Sequence, residues 1–146
     1  MTDHDSNSLH LPWPTLAAAV IGATAIVGGL AATACWMADV QPATSGAFGL
    51  VTALAGAFVG ITPWVLKPNT NPVTAALQQV AAASIRMLVG LSGALALALA
   101  TDASRPWLFG VFLVATLAGL IAELVVLTPI LRAANASATT TPETAA

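Results

Sequence analysis

The sequence predicts an all-α polytopic membrane protein, four transmembrane helices in two antiparallel hairpins, and three observations lead there. The 146 residues are 58% hydrophobic and 7% charged, whereas soluble domains carry roughly a quarter charged residues, so a hydrated surface cannot be built from them. Four nearly uncharged runs each approach or exceed the about 20 apolar residues that cross a hydrocarbon core of about 30 Å. Clusters of Pro, Gly, Asn and Thr separate the runs.

Residues 1–12 form a polar segment with Asp3, His4, Asp5 and His10, predicted to be disordered. It lacks the Lys or Arg of a signal-peptide n-region, so the first helix is expected to be retained. The stretch Ala32-Thr33-Ala34-Cys35 loosely resembles a lipoprotein cleavage site, but the same missing basic start argues against lipidation. The first span covers residues 13–37 and opens between Pro12 and Pro14. Gln41, Pro42 and Thr44 to Gly46 make the turn into the second, 47–66. Lys67, Pro68, Asn69 to Asn71 and Pro72 lead to the third, 75–100, and Thr101 to Pro106 to the fourth, 107–131. The connections are short, which predicts that sequential helices pack as antiparallel neighbours. The four-helix domain therefore covers 13–132, and the Thr- and Ala-rich segment 133–146 is predicted to be a disordered tail.

Tryptophan favours the headgroup level of a membrane. Trp13 and Trp36 bracket the first span at about 34 Å apart, Trp64 ends the second and Trp107 starts the fourth, so all four are expected to be interface anchors. Four crossings place both termini on one side. That side collects Lys67 and Arg132 against Arg105 on the other, and the positive-inside rule makes the termini cytoplasmic.

Two ionisable residues fall well inside the spans, Arg86 and Glu123. An Arg at helix centre costs about 2.5–3.5 kcal/mol on insertion scales, so a partner is expected. Both residues are equally far in sequence from the turn near 104 and 105, which puts them at one depth and predicts an intramembrane Arg86–Glu123 ion pair. Such a pair either fixes the hairpin register or serves function, and the sequence leaves both open. Gln78, Gln79 and Ser84 precede Arg86 and would make a polar lining on the half nearer the termini, or mark the interfacial start of the helix. Gly49, Ala53, Gly56 and Gly60 form a small-residue ridge on the second span, and Ala25, Gly29 and Thr33 one on the first; such ridges let membrane helices approach closely, with packing inside the bundle the default expectation and binding of another protein's helix the alternative. Pro63 removes a backbone donor and is expected to loosen the last turn of the second span.

Composition also excludes. The net charge is −2 and no block of either sign occurs, which disfavours a nucleic-acid partner. One cysteine, Cys35, permits no disulfide framework. No framework fixes Asp3, His4, Asp5 and His10 as metal ligands, so no metal or cofactor is expected. No nucleophile–base pair, phosphate-binding loop or paired carboxylates occur, and the chain is not expected to be an enzyme.

Three stretches carry a family resemblance: Gly56-Ala57-Phe58-Val59-Gly60-Ile61-Thr62-Pro63 in the second span, Ala83-Ser84-Ile85-Arg86-Met87-Leu88 in the third, and Thr128-Pro129-Ile130-Leu131 closing the fourth. With the four-span layout over residues 12 to 132, the chain resembles the ATP synthase protein I family of small four-helix bacterial membrane proteins. Many members place a glutamate about one turn before the basic residue of the third helix. Ala82 and Ala83 stand there in this chain, and Glu123 would supply the carboxylate from across the hairpin. The resemblance implies a bacterial inner-membrane accessory protein that assists assembly of the ATP synthase rotor ring, with the lipid bilayer and c subunits as partners. The family's proposed role in magnesium or calcium supply is implied as well. The residues themselves leave a second reading open: a small homo-oligomeric transporter or divalent-cation pathway in which Glu123, Arg86 and the glutamines line a wet cavity.

Overall fold

The computed structural model describes residues 9–10, 12–38, 44–67, 69–70 and 72–139. In chain order the elements are β1 (Leu9–His10), α1 (Trp13–Met37), α2 (Thr44–Gly60), α3 (Thr62–Leu66), β2 (Asn69–Thr70), α4 (Pro72–Ala100) and α5 (Arg105–Thr139). Four stretches, Trp13–Met37, Thr44–Leu66, Val73–Ala100 and Arg105–Ala133, are long and apolar enough to cross a membrane. The described residues are thus helical with four candidate spans, apart from an antiparallel bridge that sets Leu9 opposite Thr70 and His10 opposite Asn69, so the segment expected to be disordered up to residue 12 is ordered at Leu9–His10.

The boundaries differ from the sequence reading at every span but the first: the second already begins at Thr44, so Thr44 to Gly46 are helix rather than turn, and the fourth begins at Arg105. The second span is two helices, broken at Ile61. The third begins at Pro72, where a fixed φ suits the first helical position; Pro14, Pro63 and Pro106 stand second in their helices. The fourth runs on to Thr139, so the segment expected to be disordered from Ala133 is helical that far, as its alanines favour. The tail residues 1–8 and 140–146, with Asp3, His4 and Asp5, lie outside the described residues, as do Gln41 and Pro42.

α2 occupies the centre and packs on α1, α4 and α5, while α1 packs chiefly on α5 and α4 meets α5 only sparsely. The hairpin α4–α5 is therefore held largely through α2. The reason is the thinness of α2: Gly46, Gly49, Ala53, Gly56, Ala57 and Gly60 are all buried, and they point to different neighbours. A Cβ at Gly46 would meet Ala32 of α1 at 3.0 Å, one at Gly49 would collide with the Leu108 carbonyl of α5, and one at Gly56 would lie 2.6 Å from the Arg86 carbonyl of α4. Bare backbone on several sides lets three helices approach one. Above this level the Phe112 ring fills the space left by Gly90 within a cluster of Ala53, Ala94, Ala98, Leu108 and Ala115.

α1 corrects a sequence expectation. Its buried face is Leu16, Val20, Thr24, Gly28 and Cys35, and Thr24 packs against Gly119 of α5. Ala25 and Thr33 are exposed, and a Cβ at Gly29 would meet nothing within 4 Å. The small-residue row that packs inside the bundle is thus displaced by one residue, about 100° around the helix, from the one predicted. Several hydroxyls within the spans are satisfied locally: Thr24 donates to the Val20 carbonyl at 2.7 Å, Thr33 to Gly29 at 2.8 Å and Thr128 to Leu124 at 2.6 Å. This is what a medium without water demands.

Gly56→Ala, which forces a methyl against the backbone of α4, is expected to cost about 1–3 kcal/mol of stability by overpacking. Gly29→Ala is expected to be neutral or mildly stabilising. Thermal midpoints followed by fluorescence-detected size exclusion in detergent distinguish the two.

Candidate functional site

A guanidinium and a carboxylate meet in the middle of the bundle. Arg86 of α4 is 1% exposed and Glu123 of α5 is fully buried, and Arg86 Nη1 lies 2.9 Å from Glu123 Oε2. The contact is a close ion pair rather than an aligned hydrogen bond. Equal distance from the α4–α5 turn therefore does bring the two side chains to one depth, with the added condition that Arg86 passes Gly60 of α2. A Cβ at Gly60 would stand 3.0 Å from Arg86 Cβ and 3.2 Å from its Nε, so the missing side chain makes room for the arginine.

A third group completes the cluster. Trp64 of α3 is 1% exposed, and its indole N–H donates to Glu123 Oε1 at 3.3 Å. The expectation that Trp64 anchors at the membrane surface is therefore corrected: its polar tip finds a buried carboxylate instead, the usual requirement of a buried indole. Trp13, Trp36 and Trp107 remain exposed at helix ends, consistent with interfacial placement. Trp64 falls on the buried row of α2, seven residues after Ala57 and four after Gly60, and that spacing was the available signal for its position.

The break beneath Trp64 follows from Pro63. Proline has no N–H for the Val59 carbonyl, and the Trp64 and Val65 amides both donate to Ile61, at 3.0 and 3.3 Å. The carbonyls of Val59 and Gly60 are thereby left without their ordinary helical donors. Gln78 of α4 steadies the short α3 by donating from Nε2 to the carbonyls of Pro63 at 3.2 Å and Lys67 at 3.1 Å.

The predicted polar lining does not assemble around the pair. Gln78 is buried but used on α3, Gln79 is half-buried, and Ser84 is exposed. A helix presents successive positions in different directions, and only Gln78 shares the inner face of α4 with Ala75, Ala82 and Arg86. Three clefts, of about 620, 290 and 260 Å³, open on the outside of the bundle, and neither Arg86 nor Glu123 lines any of them. Among the described residues no three His, Cys, Asp or Glu side chains gather as metal ligands. Chemically, the arrangement is a neutralised charge pair sealed by Trp64 and by the backbone of α2. Oε1 of Gln78, Nε and Nη2 of Arg86 and Oγ1 of Thr116 are buried without a protein partner.

No family model, curated protein or solved structure matches the chain.

Breaking the pair should be costly, about 3–5 kcal/mol when one partner of a buried pair is removed. Arg86→Glu and Glu123→Arg are each expected to abolish accumulation of folded protein. The double exchange should restore it only in part, because the Trp64 N–H would then face a cation. Trp64→Phe in the exchanged background should improve the rescue, measured as monodisperse protein per unit of membrane.

Proposed function

We propose that this chain is a non-enzymatic accessory protein of an integral membrane assembly, which binds transmembrane helices of other subunits through α1. One observation carries the reading: α1 turns an open face of small residues away from its own bundle. A Cβ at Gly22 or at Gly29 would meet nothing within 4 Å, and Ala25 and Thr33 on the same side are exposed. Lipid offers no hydrophobic drive for helix association, so close backbone approach is the main selective force there, and this face permits it.

The resemblance to the ATP synthase protein I family supplies the partner in this reading: helices of the rotor-ring c subunits in a bacterial inner membrane, with both termini cytoplasmic. The ridge on α2 cannot share the task, since Gly49, Ala53, Gly56 and Gly60 are buried inside the bundle. A cation pathway is the second reading, favoured by the unpartnered polar atoms of Arg86 and Gln78. It ranks lower because Arg86 neutralises the one buried carboxylate among the described residues and the clefts described above do not reach the pair. A homo-oligomer belongs to that second reading.

Purification in mild detergent from the native membrane, followed by mass spectrometry, is expected to recover c subunits. Gly29→Leu, at a position with open space, should leave the thermal midpoint unchanged while reducing the copurifying subunits severalfold. Recovery of the chain only with itself, or equal recovery with the Leu variant, would overturn the reading.

A further inference from the structure

We propose that the outer face of α5 is a binding site for one anionic glycerophospholipid, its phosphate at Arg132 and one acyl chain lying along Leu124 and Ile121. This inference stands apart from the helix-binding reading, which concerns α1. The face is concave: Ile121, Leu124, Val125, Thr128, Pro129 and Arg132 line a cleft of about 620 Å³. These positions recur at three- and four-residue intervals and so make a single stripe along the helix.

The length of the stripe matches half a bilayer. From Ile121 to Arg132 it rises about 16 Å, and one leaflet of a hydrocarbon core of about 30 Å is about 15 Å. Arg132 stands at the end of the apolar stretch Arg105–Ala133, on the side that also carries Trp13 and Lys67, which is headgroup level. An acyl chain that starts at Arg132 therefore ends near the midplane at Ile121.

Charge and polarity select the headgroup. Arg132 is the one charged residue lining the cleft, and it is exposed. Among the described residues the one ion pair is Arg86–Glu123, so no described carboxylate competes for the Arg132 guanidinium. Its planar fork of donors suits a phosphate. The Thr128 hydroxyl is spent on the Leu124 carbonyl at 2.6 Å, which leaves the walls apolar toward a chain. A phosphocholine head would bring its own cation beside Arg132, whereas a phosphatidylglycerol head brings only the anion.

The test uses the full chain in detergent and native mass spectrometry with phosphatidylglycerol, phosphatidylcholine or glycerol phosphate added separately. Retention of phosphatidylglycerol is expected to exceed that of phosphatidylcholine by about fivefold, the worth of one basic residue near the headgroups. Arg132→Gln should erase that preference and Arg132→Lys keep most of it, while Val125→Trp, which fills the cleft, should lower retention of both lipids. Equal retention of the two lipids by the natural chain would overturn the proposal. So would an unchanged preference in the Gln variant, or displacement of phosphatidylglycerol by glycerol phosphate, which would assign Arg132 to a free phosphate.

Discussion

A guanidinium inside a bilayer must find a carboxylate, and much of this bundle can be understood from that requirement. α4 and α5 touch each other sparsely, yet they carry the two charges, so the pair has to reach across the flank of α2. Gly60 gives the arginine its path, and Gly56 brings α2 close enough to α4 for the path to be short. Trp64 then closes the cluster by donating to the second carboxylate oxygen. The break at Pro63 accompanies this arrangement, and Gln78 holds the resulting short helix in place.

The parts of this design that depend on polarity were legible in the sequence, and those that depend on helix rotation were not. Spans stand out because charge is excluded from them, and the Arg86–Glu123 contact followed from depth along the α4–α5 hairpin. The inward face of α1 was misread by one position because both its sides are apolar and small. A helix in lipid has no polar side to mark its exposure, so Val20–Thr24–Gly28 and Ala25–Gly29–Thr33 read alike until packing distinguishes them. Trp64 was misread for a related reason: a tryptophan near a span end suits an interface equally well, and the carboxylate that captures it is 59 residues away. The extension of α5 to Thr139 was hidden by Thr and Asn, whose low propensity masked the alanines between them.

Sealing the charges has a functional corollary. With Arg86 and Glu123 enclosed by α2, α3, α4 and α5, separating the pair would expose two charges to hydrocarbon. In the proposed reading other molecules meet the outside of the bundle. There, hydrophobicity distinguishes nothing, because lipid tails and apolar side chains are alike. Shape and isolated charge are the features that can select, and the described residues display both: a flat small-residue face on α1 and a grooved face on α5 ending in Arg132.

The two faces make different demands on the fold. Close helix packing along α1 requires a rigid backbone, and α1 obtains it from α5 through Leu16, Val20 and Leu127, which share one buried cluster with Trp64. The ion pair thus supports α1 at one remove, by fixing Trp64 and the segment of α5 against which α1 leans. A lipid along Ile121 and Leu124 would lie on the outer side of that same segment, at positions two residues before and one residue after Glu123. The buried pair holds the segment of α5 against which α1 leans, and it touches neither outer face.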